Sequence, residues 1–502
     1  MKNMKEVKAR LEQAIRAQEK IFIHGDYDVD GITGVAIMAL TLEKLGGKFM
    51  TFLPERERDG YGVSDGAIRK ARENQASLIV TVDCGITAKK EIETARSLGM
   101  DVIVIDHHRL PAEGLPDTHL ILNPLQEDCP YPFKDLSAAG LVFKLSQVLL
   151  GEDAFEFLDF VALSTISDIA PLTGENRILV KEGLKSLSER KRLGLRALAD
   201  VAKMKTTKVD TGHVGFILGP RLNAAGRMSS PDTALQLLLT KEPREAESLA
   251  NILNEENKAR QQYEKEITRA AIQKVERTVN FNRERVLVMD GKGWHVGVIG
   301  IVASRLVEKF SRPAIVISVE DNMGRGSGRS IKGFHLFKAL QASESLLEEF
   351  GGHEQAAGLS IKESNIPQLR EEINAFALEH LPPEALVRQV KADMELKLGD
   401  LTGNFLEEME LLEPYGIGNP RPVFRSLGLH PKSKARKIYG ETYEVVLSDG
   451  VFNYQAHLDE KQMVLCVSPR PETRLEAVYS VKTKQWNGMS TLVLNVKDLR
   501  QA

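Results

Sequence analysis

Short apolar runs alternate with amphipathic segments over the first 120 residues of the chain. The runs at residues 21–23, 77–82 and 101–105 predict strands, and the periodic segments 32–45 and 89–98 predict helices. Continuous apolar strands separated by helices are typical of a parallel sheet that has both faces covered. We therefore predict an α/β domain at the N-terminus.

The pattern changes after this domain. Residues 137–200 are rich in predicted helix, and residues 242–277 are charged and nearly free of glycine and proline, which predicts one extended helix. A second α/β unit follows, with a strand from residue 286, a helix at 298–310 and a strand at 314–318. We interpret the long helix as a solvated spacer between two α/β domains.

From about residue 386 the chain changes to short strands, and Asp449-Gly450 and Asn487-Gly488 are strong hairpin signals. This pattern predicts a small β-barrel. The predicted fold class is α/β, with two α/β domains joined by a long helix and a β-barrel at the C-terminus. The predicted boundaries are 1–235 for a catalytic domain, 236–280 for the connecting helix, 281–382 for a substrate-binding domain and 383–502 for the barrel.

The composition is ordinary for a soluble protein of 502 residues, with 42% hydrophobic and 27% charged residues. A formal net charge of -3 gives no overall sign of a polyanion partner, although it leaves room for a local basic groove. The three cysteines are widely spaced, which suits a reducing compartment rather than a disulfide framework. Since the sequence has neither a signal peptide nor an apolar run of membrane length, we expect a cytoplasmic protein.

Acidic residues and histidines cluster where the predicted elements end. The first strand is followed by HGDYDVD, the second by DCG and the third by DHH. The carboxyl ends of parallel strands share one edge of the sheet, where ligands bind. Carboxylates held close together repel one another unless a cation lies between them. The residues concerned are His24, Asp26, Asp28, Asp30, Asp83, Asp106, His107, His108 and, at the end of a later helix, Asp168.

Each of these residues also has an ordinary interpretation. An aspartate at a strand end is often a helix N-cap, and the histidine pair could belong to a simple loop. Cys84 is better explained by packing than by nucleophilic chemistry, because neighbouring carboxylates raise the pKa of a thiol. Four acidic clusters in order, each at the end of a predicted element, favour a metal centre. Oxygen ligands with one or two imidazoles suit two Mn²⁺ or Mg²⁺ ions better than zinc.

Five motifs carry a family resemblance: HGDYDVDGIT, TVDCGI, VIVIDHH, GPRLNAAGRM and GGHEQAAG. The acidic motifs, with Ser167-Asp168, resemble the four motifs of the DHH phosphoesterase superfamily. Within that superfamily, the chain resembles the RecJ family of single-strand-specific exonucleases from about residue 16 to its C-terminus. The resemblance implies a DHH catalytic domain, a DHH-associated (DHHA1-type) domain and an oligonucleotide-binding barrel (OB-fold).

The resemblance also implies roles for the acidic residues. One metal is expected at His24, Asp28 and Asp83, and the other at Asp30, Asp83, His107 and Asp168, with Asp83 as the bridge. Asp26 would bind or orient the first metal. Asp106 would orient a ligand imidazole through hydrogen bonds. His108 would contact the scissile phosphate or protonate the leaving oxygen.

Three further groups are expected to bind the nucleic acid. Arg325, Ser327 and Arg329 lie in a predicted glycine-rich turn that could hold phosphate, unless it is a surface turn with incidental charge. Gly352 and His353 lie in the motif with which the DHH-associated domain of the family binds substrate. The third group, in GPRLNAAGRM, would contact phosphate or a base or else form a structural loop: Arg221, Asn223 and Arg227.

Two weaker signals are aromatic or basic. Trp294 could stack on a base, and packing in the protein core is an equal alternative. The predicted barrel interleaves basic residues with tyrosines, which suits a single strand of any sequence, although a solvated loop would look similar. The basic residues are Lys432, Lys434, Arg436 and Lys437.

The resemblance implies a hydrolase that degrades single-stranded DNA from the 5′ end in recombination and repair, with a single-strand-binding protein and a helicase as partners. We expect a monomer that makes no membrane contact. The first alternative is a DHH phosphodiesterase for short oligonucleotides or cyclic dinucleotides, which would not need a barrel. A catalytically inactive DNA-binding scaffold would show eroded ligands, and a polyphosphate hydrolase is the weakest alternative.

One departure concerns the N-terminus. Members of the family usually carry several dozen residues before the first strand, whereas 20 residues precede Ile21 here. The chain either starts late or has a misassigned start, so an N-terminal contribution to DNA contact or stability is in doubt. The catalytic motifs are unaffected.

Overall fold

The computed structural model of the protein describes residues 1–55, 58–60, 62–467, 473–486 and 489–501. They form two compact units, Met1–Val387 and Arg388–Ala502. The predicted turn Asn487-Gly488 lies outside the described residues. No helix within the described ranges is long and apolar enough to cross a membrane.

The predicted N-terminal parallel sheet is confirmed. Its strands lie in the order β2-β1-β3-β4-β5, and every neighbouring pair is parallel. The strands are β1 (Lys20–Gly25), β2 (Lys48–Phe52), β3 (Leu78–Val82), β4 (Asp101–Ile105) and β5 (Ile121–Leu122). The helices of this region are α1 (Met4–Arg16), α2 (Val29–Lys44), α3 (Asp65–Glu73), α4 (Lys89–Ser97), α5 (Ala138–Leu150), α6 (Leu158–Ser167), α7 (Gly174–Glu189), α8 (Leu193–Val201), α9 (Thr211–His213), α10 (Gly219–Met228) and α11 (Asp232–Leu239).

The sheet is buried on both faces, which explains why its strands read as continuous apolar runs. In β1, Ile21 and Ile23 point into a core shared with α2, α5 and α6, while Phe22 points into a second core with α3 and α4. Alternate residues of a strand face opposite sides, so each run must be apolar throughout when both sides are covered. The acidic residues at the strand ends are therefore placed by a rigid sheet.

Helix α2 begins at Val29, three residues before the predicted start, because Asp28 is its N-cap. The carboxylate accepts hydrogen bonds from the backbone N–H groups of Asp30 at 2.9 Å and Gly31 at 3.2 Å. Gly31 is required here, because a Cβ at this position would lie closer than 3.0 Å to the backbone of Asp26. The acidic loop thus folds tightly onto the helix that it starts.

Helix α7 packs on α6 through Gly183. A Cβ on Gly183 would come closer than 3.0 Å to the carbonyl oxygen of Leu158 and to the Cβ of Ala162. Helix α6 ends at Ser167, with Asp168 as its C-cap. Close approach of α7 therefore helps to fix the helix that presents Asp168.

The predicted long helix is confirmed as α12 (Pro243–Thr278), which has 36 residues. At 1.5 Å per residue it is about 54 Å long. Its first half packs Ala250 and Leu253 into the core of the first domain, and its second half packs Ala271 and Val275 against the second. The helix therefore belongs to both cores and is more than a solvated spacer.

The second α/β domain contains a five-stranded sheet in the order β6-β7-β8-β10-β9. Strands β6 and β7 are parallel, and the other pairs are antiparallel. The strands are β6 (Leu287–Lys292), β7 (Ala314–Glu320), β8 (Met323–Arg329), β9 (Leu347–Gly352) and β10 (Ala356–Lys362). The helices are α13 (Val296–Phe310), α14 (Leu336–Ala342) and α15 (Ile366–His380).

The prediction of a glycine-rich turn at Arg325, Ser327 and Arg329 is wrong, because these residues lie in strand β8. Gly324, Gly326 and Gly328 alternate with them. The glycines face the core so closely that an added Cβ would meet side chains of neighbouring elements at less than 3.0 Å. The strand therefore presents its polar side chains together on the opposite face.

The predicted C-terminal barrel is also confirmed. Its sheet has the order β11-β12-β16-β17-β15-β14-β13, and a further pairing of β12 with β14 closes five strands into a barrel. The predicted turn Asp449-Gly450 joins β14 to β15, and Gly450 has a φ of 102°. The elements are β11 (Met394–Glu395), α16 (Gly403–Leu411), β12 (Phe424–Pro431), β13 (Arg436–Tyr439), β14 (Thr442–Ser448), β15 (Asn453–Leu458), α17 (Glu460–Met463), β16 (Leu475–Trp486) and β17 (Met489–Gln501).

We expect Gly183→Ala to destabilise the first unit by about 1–3 kcal/mol, because the added methyl group must push α6 and α7 apart. Urea denaturation followed by circular dichroism measures this effect. Lys181→Ala, on the exposed side of α7, is the matched control and should change stability by less than about 0.5 kcal/mol. Equal midpoints for Gly183→Ala and Lys181→Ala would contradict the close contact.

Candidate metal centre and substrate cleft

The carboxyl ends of β1, β3 and β4 bring the acidic motifs together at one edge of the sheet. Asp83 follows β3 directly, and its N–H donates to the carbonyl of Ile105 at the end of β4, at 2.9 Å. Its φ is 65°, in the left-handed region that aspartate tolerates better than most residues. This backbone conformation places the carboxylate between the first and third acidic motifs.

Three overlapping groups of side chains have ligand atoms within 4.8 Å of one another. Asp83 and His107 each belong to two of them, so the groups form one continuous cluster. The groups are Asp26, Asp28 and Asp83; Asp30, His107 and Asp168; and Asp83, His107 and His108. Asp28 and Asp30 fall into different groups, and Asp83 shares one group with Asp28 and another with His107.

His107 lies at the centre of this cluster. Its Nε2 atom is 3.2 Å from Asp83 Oδ1, 3.6 Å from Asp30 Oδ2 and 3.8 Å from Asp168 Oδ2. Asp83 Oδ1 is buried and makes no hydrogen bond among the described residues, although His107 Nε2 is so close. Neighbouring ligands of one small divalent cation are about 3 Å apart, since each lies about 2.1 Å from the metal. The atoms present therefore fit a hard divalent cation.

Asp30 is held by the N-terminus of α5. Its two carboxylate oxygens accept from the backbone N–H groups of Ala138 and Ala139, each at 2.8 Å. The hydroxyl of Ser164 donates a third hydrogen bond at 2.7 Å. Helix N-termini stabilise anions through their N–H groups and dipole. The Asp30 side chain is therefore held in place by the protein itself.

His24 is fully buried at the end of β1, outside the three groups. Burial lowers its pKa to about 4, so the imidazole is neutral, the form that binds metals. Its Nδ1 lies 3.5 Å from the thiol of Cys84, while its buried Nε2 makes no hydrogen bond among the described residues. Burial, followed by the charge of Asp106, raises the pKa of Cys84 well above its usual value, which supports packing over nucleophilic chemistry for this thiol.

Asp106 orients His108. Its Oδ1 lies 2.7 Å from His108 Nδ1, and its Oδ2 accepts from the N–H of Ile86 at 3.0 Å. Burial would lower the pKa of His108, but the hydrogen bond and charge of Asp106 outweigh it and raise that pKa to about 9. The imidazole that Asp106 holds is therefore His108, rather than the candidate ligand His107.

The remaining carboxylates crowd one another. Burial raises the pKa of Asp83 well above its usual range, and the charges of Asp30 and Asp28 add to the effect. Burial, then Asp30 and Asp28, raise the pKa of Asp168 to about 8. Burial and Asp30 also raise the pKa of Asp28. The cluster holds more negative charge than its surroundings offset, which is the condition that a bound cation relieves.

A cavity of about 1400 Å³ separates the two α/β domains of the first unit. One wall comes from Tyr27 in the acidic loop and from residues 226–230, and the other from residues 295–297 and from β8, β9 and β10. The predicted residues that line it are Arg227, Arg325, Ser327 and Gly352. Because Tyr27 lies between Asp26 and Asp28, the cavity borders the loop that carries these two carboxylates.

Arg329 and His353 lie near this cavity. The Nη1 of Arg329 donates to Ser327 Oγ at 3.2 Å, so Arg329 supports a residue of the wall. His353 is exposed in the turn after β9, and its N–H donates to Ala356 at 2.8 Å. Gly352 has a φ of 132°, and a Cβ there would clash with Ala356 and Ala357. The GGH motif therefore shapes a tight turn at the edge of the cleft.

The other two residues predicted in GPRLNAAGRM have partners within the protein. Arg221 donates to Asn254 Oδ1 at 3.1 Å and to the carbonyl of Ile217 at 2.8 Å. Asn223 Oδ1 accepts from the N–H of Val29 at 3.0 Å. The motif forms helix α10 and not a loop.

Some residues that line the cleft were not among the predicted site residues. Tyr27 was inside a quoted motif and could have been considered, whereas Arg58 and Glu349 have no local signal. Trp294 packs over Gly291, where an added Cβ would come closer than 3.0 Å to its ring, so the packing interpretation is supported.

We expect Asp83→Asn to raise the thermal midpoint of the metal-free protein at neutral pH. The raised pKa of Asp83 means that either ionisation or proton uptake by this carboxyl costs stability there, and asparagine tolerates the left-handed backbone. The midpoint should rise by about 1–2 °C for each kcal/mol of stability gained, because a unit as large as Met1–Val387 has a large entropy of unfolding. Calorimetry in EDTA measures it, with the exposed Asp153→Asn as control. A lower midpoint for Asp83→Asn than for the wild type would show that repulsion does not dominate the cluster.

Three family models match successive parts of the chain. Residues 20–165 match the DHH family N-terminal domain, residues 283–379 the DHHA1 domain and residues 392–498 the RecJ OB domain. The single-stranded-DNA-specific exonuclease RecJ of Bacillus subtilis is 38% identical over 99% of the chain, which spans 63% of that relative's length. The RecJ of Escherichia coli is 36% identical over 88% of the chain and 80% of its own length.

A solved structure is similar over the whole chain. The crystal structure of RecJ from Thermus thermophilus in complex with Mn²⁺ matches with a TM-score of 0.85 and 32% identity. The match covers 100% of this chain and 72% of the other. Because the identity, coverage, domain order and acidic cluster agree, the chain belongs to the RecJ family of DHH phosphoesterases.

Proposed function

We propose that the protein is a metal-dependent exonuclease that hydrolyses phosphodiester bonds of single-stranded DNA from the 5′ end. The main observation behind this proposal is the acidic cluster around Asp83, together with a cleft that Tyr27 of the acidic loop and several arginines line. Relatives that bear the name single-stranded-DNA-specific exonuclease support the choice of substrate. The direction of attack rests on the family resemblance.

We propose two cation sites within the cluster. Asp28 and Asp83 would hold the first, with Asp26 in the same group and with His24, which lies outside that group, as a further ligand. Asp30, His107 and Asp168 hold the second, which Asp83 also contacts. The carboxylate-rich donor set favours Mn²⁺ or Mg²⁺, and solved RecJ structures contain these ions. Two such cations, when bound, polarise the phosphoryl group and lower the pKa of a water molecule.

The protein side chains supply orientation and a proton. Asp30, anchored to α5, and Asp83, anchored to β4, keep their carboxylates at fixed positions. Asp106 positions His108, and the pKa of the His108 imidazole is raised to about 9. In the metal-free protein His108 is therefore protonated near neutral pH. We assign it the delivery of a proton to the oxygen that leaves phosphorus as water attacks.

The cleft would hold the terminal nucleotides. Arg227, Arg325 and Arg329 offer charged donors for phosphate, and Ser327 offers a hydroxyl beside them. The polar side chains of β8 project from one face of the strand, so they can contact one phosphate group together. His353 at the turn after β9 would contact the next phosphate or the terminal nucleotide.

The C-terminal barrel would bind single-stranded DNA. Lys432, Lys434, Arg436 and Lys437 are exposed on one segment, with Arg436 paired to Glu444 and Lys437 5.8 Å from the ring centre of Tyr443. Basic and aromatic side chains together suit a single strand of any sequence. We propose a monomer that acts in DNA recombination and repair in the cytoplasm, with a single-strand-binding protein and a helicase as partners.

The purified protein with Mn²⁺ or Mg²⁺ should degrade a single-stranded oligonucleotide labelled at one end and leave the matching duplex largely intact. Label at the 5′ end should be released first, and label at the 3′ end last. Equal attack on both DNA forms would contradict the proposal. Activity confined to dinucleotides would favour the phosphodiesterase alternative.

We expect Asp83→Ala to abolish this activity, because it removes the carboxylate that both proposed cation sites share. Single-turnover assays on the single strand measure the rate, and Asp153→Ala on the surface serves as control. A near-wild-type rate for Asp83→Ala would show that the two-cation assignment is wrong.

Arg329→Ala should raise KM for single-stranded DNA about tenfold or more and change kcat less, since it removes a charged hydrogen bond to phosphate. Steady-state kinetics on an oligonucleotide separates the two constants. The matched control is Arg277→Ala on the exposed side of α12, outside the residues that line the cleft. A loss confined to kcat would assign Arg329 to the chemical step instead.

A further inference from the structure

Helix α10 turns one face toward the loops that carry the acidic residues. Gly219, Asn223 and Gly226 are spaced by four and three residues, so they share one side of the helix, which we term the α10 face. A Cβ on Gly226 would lie closer than 3.0 Å to the carbonyl oxygen of Tyr27. A Cβ on Gly219 would also lie closer than 3.0 Å to its neighbour, Ser167 Oγ. The α10 face therefore contacts the residues next to Asp28 and Asp168.

Asn223 completes the cap of α2. Asp28 accepts hydrogen bonds from the N–H groups of Asp30 and Gly31. It does not accept from the N–H of Val29, the first residue of the helix, which therefore needs another acceptor. The Oδ1 of Asn223 accepts from that group at 3.0 Å, although the two residues are 194 positions apart. Two side chains from distant parts of the chain thus share the cap of one helix.

The position of Val29 gives this hydrogen bond its importance. Val29 lies between Asp28 and Asp30, which belong to different groups of the cluster. Rotation of its peptide would move the two carboxylates relative to each other. We propose that Asn223 is a positioning residue for the acidic loop, holding Asp28 and Asp30 at the separation that two cations require, and that it does not contact DNA.

This inference rests on the proposed function and refines the sequence-based expectation that Asn223 contacts phosphate or a base. The neighbouring Arg227 lines the cleft, and its Nη1 donates to the carbonyl of Gly297 in α13 at 3.0 Å. A Cβ on Gly297 would in turn lie closer than 3.0 Å to the carbonyl of Arg227. One short helix therefore contacts the acidic loop on one face and the substrate-binding domain at its end.

The test compares two substitutions of similar size. Asn223→Leu removes the acceptor, whereas Asn223→Asp keeps an oxygen in the same place. Titration calorimetry with Mn²⁺ alone, without DNA, should show affinity about 10–100-fold weaker for Asn223→Leu, the usual effect of losing a residue that orients metal ligands. Asn223→Asp should bind Mn²⁺ at least tenfold more tightly than Asn223→Leu does.

Two controls separate this effect from general damage. Asn251→Leu on α12 removes an exposed amide that donates to Glu247 of its own helix, and it should bind Mn²⁺ like the wild type. Circular dichroism establishes whether Asn223→Leu folds, and Asn223→Ala, with less bulk, replaces it if it does not. DNA affinity measured in EDTA should remain unchanged in the Asn223 variants.

The outcomes distinguish the two levels of the proposal. Unchanged Mn²⁺ affinity with a raised KM for single-stranded DNA would overturn the positioning role and assign Asn223 to substrate contact. Wild-type protein that binds no Mn²⁺ would overturn the proposed function together with this inference. Wild-type protein that binds Mn²⁺ and degrades single strands, with Asn223→Leu indistinguishable from it, would overturn this inference alone.

Discussion

Repulsion among buried carboxylates at one edge of a parallel sheet is the constraint on which the rest of the structure depends. Helix N-termini relieve part of it: α5 holds Asp30, and α2 is capped by Asp28. Each such interaction contributes about 0.3–2 kcal/mol. These interactions do not remove the repulsion, because burial and acidic neighbours still raise the pKa values of Asp83 and Asp168. The fold therefore keeps a deficit of positive charge that divalent cations can fill.

The elements around the cluster are packed to hold this unfavourable arrangement. The strands of the sheet are buried on both faces, which fixes the strand ends that precede Asp83 and His107. Helix α7 packs closely through Gly183 on α6, the helix that ends just before Asp168. Helix α12 then joins the core of this domain to that of the second. The cleft between the domains has two walls, and each wall carries arginine: Arg58 and Arg227 on the first domain and Arg325 on the second.

Sequence reasoning succeeded where the signal was local. The strands, the long helix and the acidic clusters could be predicted, because apolar runs and carboxylates at strand ends are visible in short windows. It failed at β8, where glycine and serine suggested a turn and the alternation of glycine with polar residues was the better guide. The choice of Asp106 between His107 and His108 depends on local side-chain geometry that the sequence does not encode visibly. The bond between Asn223 and Val29 was not predictable because it joins distant segments of the chain.

The motif at residues 219–228 shows why such failures concentrate near a functional site. Its arginines and asparagine suggested phosphate contacts, and Arg227 does reach the cleft. Asn223 instead accepts a hydrogen bond from the N–H of Val29, which Asp28 does not bind. Gly226 permits the helix to approach the acidic loop. A polar side chain near a charged site has two possible partners, substrate or scaffold, and composition does not distinguish them. Here the mutual repulsion of Asp28 and Asp30 explains why the N–H of Val29 needs a hydrogen-bond acceptor from the protein. Repelling carboxylates keep their relative positions only if the backbone between them is also restrained.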